Sequence, residues 1–282
     1  MRRLVPLVLL VFAAAAIVAT AISVAAPTAR SGGGGPGVGA GGSAFAVQCN
    51  FSHRNTDDLI VFPAQAGRSH DHTYFGNKTT NASSTLESLR AARATTCVVR
   101  GDTAAYWVPT LFSNGQPVAP RGATVYYRRR TTQRVQAFPQ GFRMIAGTST
   151  ATAAQPLQVT SWNCRSFFMR TEQTSAIPVC ATGGRAVLNL HVNFPNCWDG
   201  TSLDSADHKS HLAYSVQGHC PATHPVAVPA ISLIAHYTPV NPATAELASR
   251  GQLSGHGDFV NAWDQQRLER LVDRYLNRNR RR

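Results

Sequence analysis

The clearest pattern along the chain lies at 187–194, where Leu188, Leu190, Val192 and Phe194 alternate with Asn189, His191 and Asn193. Side chains in a strand point to opposite faces with period two, so this segment predicts an apolar core stripe backed by an amide–imidazole row. Further apolar runs at 104–112, 123–130, 157–162, 212–216 and 230–237 read as strands. Asn114-Gly115 between the first two suggests a hairpin or two neighbouring strands. Helical periodicity is scarce. Ser84-Thr85-Leu86-Glu87 reads as a capping box opening a short helix. A second helix is expected over 260–276, with Trp263, Leu268, Leu271, Val272 and Tyr275 forming its apolar side. The segments 52–82 and 195–211 are rich in Gly, Pro and Asn and read as long loops, which in a compact domain are often functional. The expected fold is mainly β: a single sandwich or jelly-roll-like domain with long loops, one short helix and a C-terminal helix.

The first 43 residues stand apart from this pattern. Arg2 and Arg3 precede an uncharged apolar run from Leu4 to Ala26, which marks export. The run is nearly long enough to span a bilayer, so 1–30 reads as a signal peptide or a retained signal-anchor. The Gly-rich stretch 31–43 is a flexible linker, 44–265 the folded domain, and 266–282 a basic helix or tail. Export makes the six cysteines disulfide candidates. Many pairings are open to Cys49, Cys97, Cys164, Cys180, Cys197 and Cys220. Short closures 164–180 and 197–220, leaving 49–97, are the expected set. The protein is expected outside the cell or attached to the envelope.

Composition sharpens this reading. Hydrophobic residues make up 43%, enough for a sizeable core, and charged residues only 15%, against about a quarter in an ordinary domain. The net charge of +13 comes from three places: the N-terminus, the Arg-rich stretch 121–143, and the C-terminal tail. The rest of the chain is balanced. A neutral body with basic attachments argues against a nucleic-acid partner and for attraction to an acidic envelope or glycan. Membrane contact is expected only through an uncleaved N-terminal segment, and the oligomeric state is open.

In a chain with only 14 acids, clusters of Asp beside His stand out. His70 and His72 share a face if their segment is extended. Asp199, Asp204, Asp207, His208 and His211 crowd one short window. His256 and Asp258 precede the last helix, where Asp258 would serve equally as a helix cap. A carboxylate beside an imidazole fixes its tautomer and raises its basicity, which suits general-base catalysis or metal ligation. The plainer alternative is loops braced by their own Asp–backbone bonds. Catalytic candidates are therefore His70, His72, Asp204, Asp207, His208, His211, His256 and Asp258. Asn189, His191, Asn193, Trp198 and Tyr214 are candidates for sugar binding. His70, His72, His208 and His211 form an alternative metal set, with a divalent ion as the only cofactor suggested. No Ser-nucleophile elbow, zincin motif, phosphate loop or CxxC is present.

The runs CNFSHRNTDDLIVFPAQAGRSHDHTYFGN (49–77), FPNCWDGTSLDSADHKSHLAYS (194–215) and HGDFVNAW (256–263) resemble the DUF1996 family of secreted bacterial and fungal proteins. The resemblance spans about 45–265. It carries over to His53, Asp57, Asp58, His70, His72, Cys197, Trp198, Asp199, Asp204, Asp207, His208, His211, His256 and Asp258. Ala262 stands where relatives often have Gly. The family name assigns no reaction; its frequent fusion to carbohydrate-binding or cell-wall modules implies a polysaccharide setting. The expected activity is that of a secreted carbohydrate-active enzyme using His/Asp acid–base chemistry, by hydrolysis or elimination, with or without a metal. The alternative is a non-catalytic exported binder of a metal, haem or glycan.

Overall fold

The computed structural model describes residues 43–166, 170–181 and 185–278. The expected signal segment, nearly all of the linker, and the last four residues lie outside the described residues. No helix among the described residues is long and apolar enough to cross a membrane.

Two five-stranded antiparallel sheets dominate. The first has the order Ala44–Cys49, Gly122–Arg128, Ala230–Tyr237, Val187–Asn193, Thr160–Arg165. The second has the order Phe51–Asn55, His72–Gly76, Ala105–Pro109, His256–Val260, Arg143–Gly147. One hydrophobic cluster joins them. Phe45, Val125, Leu190, Val192 and Leu233 of the first sheet pack with Phe75, Val108, Met144 and Phe259 of the second, all at most 2% exposed. Burying each such side chain contributes roughly 1.5–3 kcal/mol. The expected mainly β sandwich is therefore present. Gly257 marks how closely the sheets approach: a Cβ there would sit 3.2 Å from Val192 Cγ1. A polar clasp crosses the same interface. Tyr106 and Tyr127 hydroxyls lie 2.6 Å apart, Trp263 Nε1 donates to Tyr127 at 3.0 Å, and Tyr106 donates to the buried Asp102 carboxylate.

The two outer faces differ. That of the second sheet is covered: Tyr74, Trp107, Ala105 and Val260 pack with Leu59, Ile60, Leu89 and Ala262. Its three inner strands are consequently buried at every position. The outer face of the first sheet is left as a groove.

Three disulfides, Cys49–Cys97, Cys164–Cys180 and Cys197–Cys220, match the expected set.

Several boundaries differ from the expected ones. The 52–82 segment contains the His72–Gly76 strand and most of the Phe51–Asn55 strand; the first is buried on both faces and shows no alternation to read, and the second is an edge strand with no buried position. Asn114-Gly115, both at positive φ, turns the short hairpin Leu111–Ser113/Gln116–Pro117; Ala105–Pro109 and Gly122–Arg128 belong to different sheets. The first helix, α1 (Leu86–Ala91), is capped by Thr85 and Ser88 rather than Ser84 and Glu87, since Ser84 Oγ accepts from Asn81 N. The last helix, α2 (Gln265–Leu271), is capped by Asp264 and runs on through Val272–Asn277. The expected start at 260 is too early: His256–Val260 is a central strand, so Asp258 is not a helix cap.

Candidate functional site

The groove on the outer face of the first sheet has a volume of about 940 Å³. A second hollow of about 610 Å³ adjoins it and shares Thr124, Tyr126, Arg165, Asn189 and His236. The alternation that places Leu188, Leu190 and Val192 in the core necessarily sends Asn189, His191 and Asn193 into this groove. Neighbouring strands contribute by the same rule. Asn163 lies opposite Asn189, and His236 opposite Asn189 on the other side.

These side chains form a directed relay. His236 Nδ1 donates to Asn189 Oδ1 at 2.7 Å, and its Nε2 accepts from the Thr124 hydroxyl at 2.8 Å. Asn189 Nδ2 donates to Asn163 Oδ1 at 2.9 Å. His191 Nε2 donates to the same oxygen at 2.9 Å. Two ends remain open. Asn163 Nδ2 is buried without a partner, and His191 Nδ1, a lone pair in this tautomer, has no hydrogen bond among the described residues. Burial, then the charges of Arg170, His236 and Arg128, holds the His191 pKa down at about 4. Burial, then Arg165, does the same for His236, also about 4. Both rings are neutral at pH 7.

A second relay holds the rim. Arg128 lies over the Tyr126 ring at 4.2 Å and donates to Ser232 Oγ at 2.7 Å. Ser232 donates to Asn193 Oδ1 at 2.5 Å, and Asn193 Nδ2 donates to the Gln158 carbonyl. Tyr214 anchors its hydroxyl on the Asn193 carbonyl. Arg128, Arg130, Arg165 and Arg170 all line the groove, and no carboxylate does. None of the four has an acid partner among the described residues. Cations gathered without counter-charge over neutral donors are chemically suited to an anion.

The Asp/His candidates are distributed elsewhere. His70, His72 and His256 meet on the covered face of the second sheet, so two of the three sequence groups do converge. Burial lowers the pKa of His70 to about 4 and of His256 to about 3, and holds His72 well below its usual value. Burial raises both Asp58 and Asp258. The 199–211 window behaves differently. Asp199 Oδ1 accepts from Thr201 N and Ser202 N, and Asp207 Oδ1 from Lys209 N, Ser210 N and Ser205 Oγ, so these carboxylates brace their own loop. His211 is 1% exposed with both nitrogens engaged, at Ser205 Oγ and the Arg143 carbonyl, which removes it as base or ligand. His208 pairs with Asp204 at 2.9 Å, apart from the three-histidine group. The metal set His70, His72, His208 and His211 is thus not assembled. Trp198 is buried against Phe142 and donates to the Ser202 carbonyl, so it offers no sugar platform. His53, between Ser52 and the Thr80 carbonyl, is a loop brace.

The sequence reading missed Asn163, Arg165, Arg170 and His236. Extending the 157–162 strand by one turn of the alternation would have paired Asn163 with Ser161 on the polar face. No local signal announces Arg170.

No curated protein and no solved structure matches the chain. A family model does match, over residues 58–263, and the chain belongs to that family, DUF1996, a domain of unknown function.

Proposed function

We propose that the protein is a carbohydrate-active enzyme that takes a uronate-containing polysaccharide into the groove and cleaves it by β-elimination, in an extracellular or envelope setting. The supporting observation is the combination of four arginines without a carboxylate and the open ends of Asn163 and His191. The two contiguous hollows suit a polymer better than a small ligand. In the reaction, the arginines and the Asn163 amide hold the sugar carboxylate and stabilise the charge that grows on it. His191 Nδ1 takes the C5 proton; the C–H electron pair becomes the C4=C5 double bond as the C4–O bond breaks. The imidazolium then returns the proton to the departing oxygen, so no other reactant is needed. A bound carboxylate offsets the arginine charges that depress His191, making it a stronger base when substrate is present.

Hydrolysis by paired carboxylates is disfavoured, because the groove contains none. The non-catalytic glycan-binding reading rests on the same groove and differs only in turnover. Incubation with a panel of polyuronates and neutral glycans separates them. Ultraviolet absorbance from the unsaturated product, retained in chelator, is the expected result. New reducing ends without that absorbance would overturn elimination. Saturable binding without product would favour the binder.

A further inference from the structure

The structure assigns a divalent-metal site to His70, His72 and His256, on the opposite outer face of the sandwich from the groove and independent of it. The ligand atoms of the three rings lie within 4.8 Å of one another. Their backbone origins explain the convergence. His72 opens a central strand, His256 opens the strand two places across, and His70 precedes His72 by the two residues that return a side chain to the same side.

Two of the tautomers are fixed by backbone carbonyls, which can only accept. His72 Nδ1 donates to the Asp57 carbonyl at 3.0 Å, and His256 Nδ1 to the Ser254 carbonyl at 2.9 Å. Each Nε2 is therefore a lone pair, held in the orientation that metal-ligating histidines take from a second hydrogen bond. His70 Nε2 sits 3.2 Å from His256 Nε2. A hydrogen bond there satisfies those two rings and leaves His72 Nε2, fully buried, with no partner. A metal ion satisfies all three at once.

The surroundings add oxygen donors beside one of the three rings. His72 also shares a 4.8 Å group with Asp58 and Asp258, and Asp258 Oδ2 is a second buried atom without a partner. Two buried carboxyl groups, Asp58 and Asp258, lie beside the His72 imidazole. Three imidazole nitrogens select a late first-row ion of the Zn²⁺ class over Ca²⁺ or Mg²⁺, which prefer all-oxygen shells. The burial of the cluster and its ties to the Asp57–Asp58 turn suit an ion that fastens this loop onto the sheet.

The test uses untagged full-length protein stripped with chelator and dialysed against Zn²⁺ or Co²⁺. Elemental analysis should give one ion per chain, with a raised melting temperature and, for Co²⁺, visible absorption of a nitrogen-rich site. His70→Ala and His256→Asn should each weaken binding by about a hundredfold or more, beyond what loss of a supporting partner costs. His219→Ala, an exposed histidine elsewhere, should leave it unchanged. Because His70 is only partly buried, its variant should fold even if His256→Asn does not. Less than one ion per chain in the wild type, or wild-type affinity in His70→Ala, would overturn the assignment. Polyuronate turnover is scored separately and bears only on the groove.

Discussion

His191 and Asn163 share one hydrogen bond, Nε2 of the ring to Oδ1 of the amide at 2.9 Å, which leaves His191 Nδ1 and the buried Asn163 Nδ2 without a partner among the described residues. The pair therefore presents an acceptor and a donor side by side, as abstraction of a proton next to a held carboxylate requires. His191→Ala should reduce turnover by about 10²–10⁴-fold, the usual contribution of a positioned general base. Glycan affinity should change little. Asn163→Ala should weaken both, since it removes the donor and unties His191. Kinetics of both variants on the same polyuronate would show whether the two effects divide in this way.

The unpaired arginines predict a strong dependence on ionic strength. Arg165→Ala and Arg170→Ala should each weaken polyuronate binding by about tenfold at low salt, equal to about 1.4 kcal/mol. The wild-type advantage should shrink as salt is added, because screening falls most heavily on solvent-facing charge. Binding of a neutral glycan at comparable strength, indifferent to both substitutions, would remove the acidic-substrate assignment.

Stability should fall on acidification through the groove histidine. The His191 pKa is near 6.5 when unfolded and about 4 when folded. The unfolded chain thus takes up the proton first. The contribution is complete above pH 6.5, is lost as pH falls toward 4, and changes no further below that. Its size is on the order of 3 kcal/mol. Arg170, Arg128 and His236 face the ring and are common to both proteins in the comparison. His191→Gln keeps a donor for Asn163 and abolishes this term. The urea midpoint of the wild type should therefore fall relative to that of the variant between pH 7 and 4, and parallel curves would refute the claim.

The contact between the sheets offers a test of the architecture. Gly257→Ala forces a methyl against Val192 Cγ1 and Cβ and the Trp107 carbonyl, and overpacking of this kind costs about 1–3 kcal/mol. Tyr106→Phe removes the hydroxyl that serves both Asp102 and Tyr127, leaving buried polar atoms short of a partner at about 1–3 kcal/mol. Thermal denaturation of each should show a lower midpoint with a single transition.

What could be read from the sequence follows from how each surface is used. The first sheet keeps one polar face, so its strands alternate, and Ala230–Tyr237 was placed to the residue. Asn189, His191 and Asn193 were picked out for the same reason. The second sheet's inner strands are covered on both sides, so His72–Gly76 and His256–Val260 carry no alternation, and the sequence suggests a loop for the first and the approach to the last helix for the second. His70, His72 and His256 were each noticed, but a meeting across 186 residues is a property of strand order, which no local pattern encodes. The Asp-rich 199–211 window misled in the opposite way, because Asx-type bracing and catalytic carboxylates draw on the same residue types.

The groove has one wall that is tied on covalently. Arg170 lies on a segment that pairs with the edge strand at Arg165, and Thr174 pairs with Trp162 four residues further on. Cys164–Cys180 closes that segment back onto the strand. The pairing shields an edge that would otherwise invite another chain. Reduction of this one bridge should therefore slacken the grip on an acidic polymer before the sandwich itself melts, making the groove, rather than the fold, the part of the molecule most sensitive to a thiol.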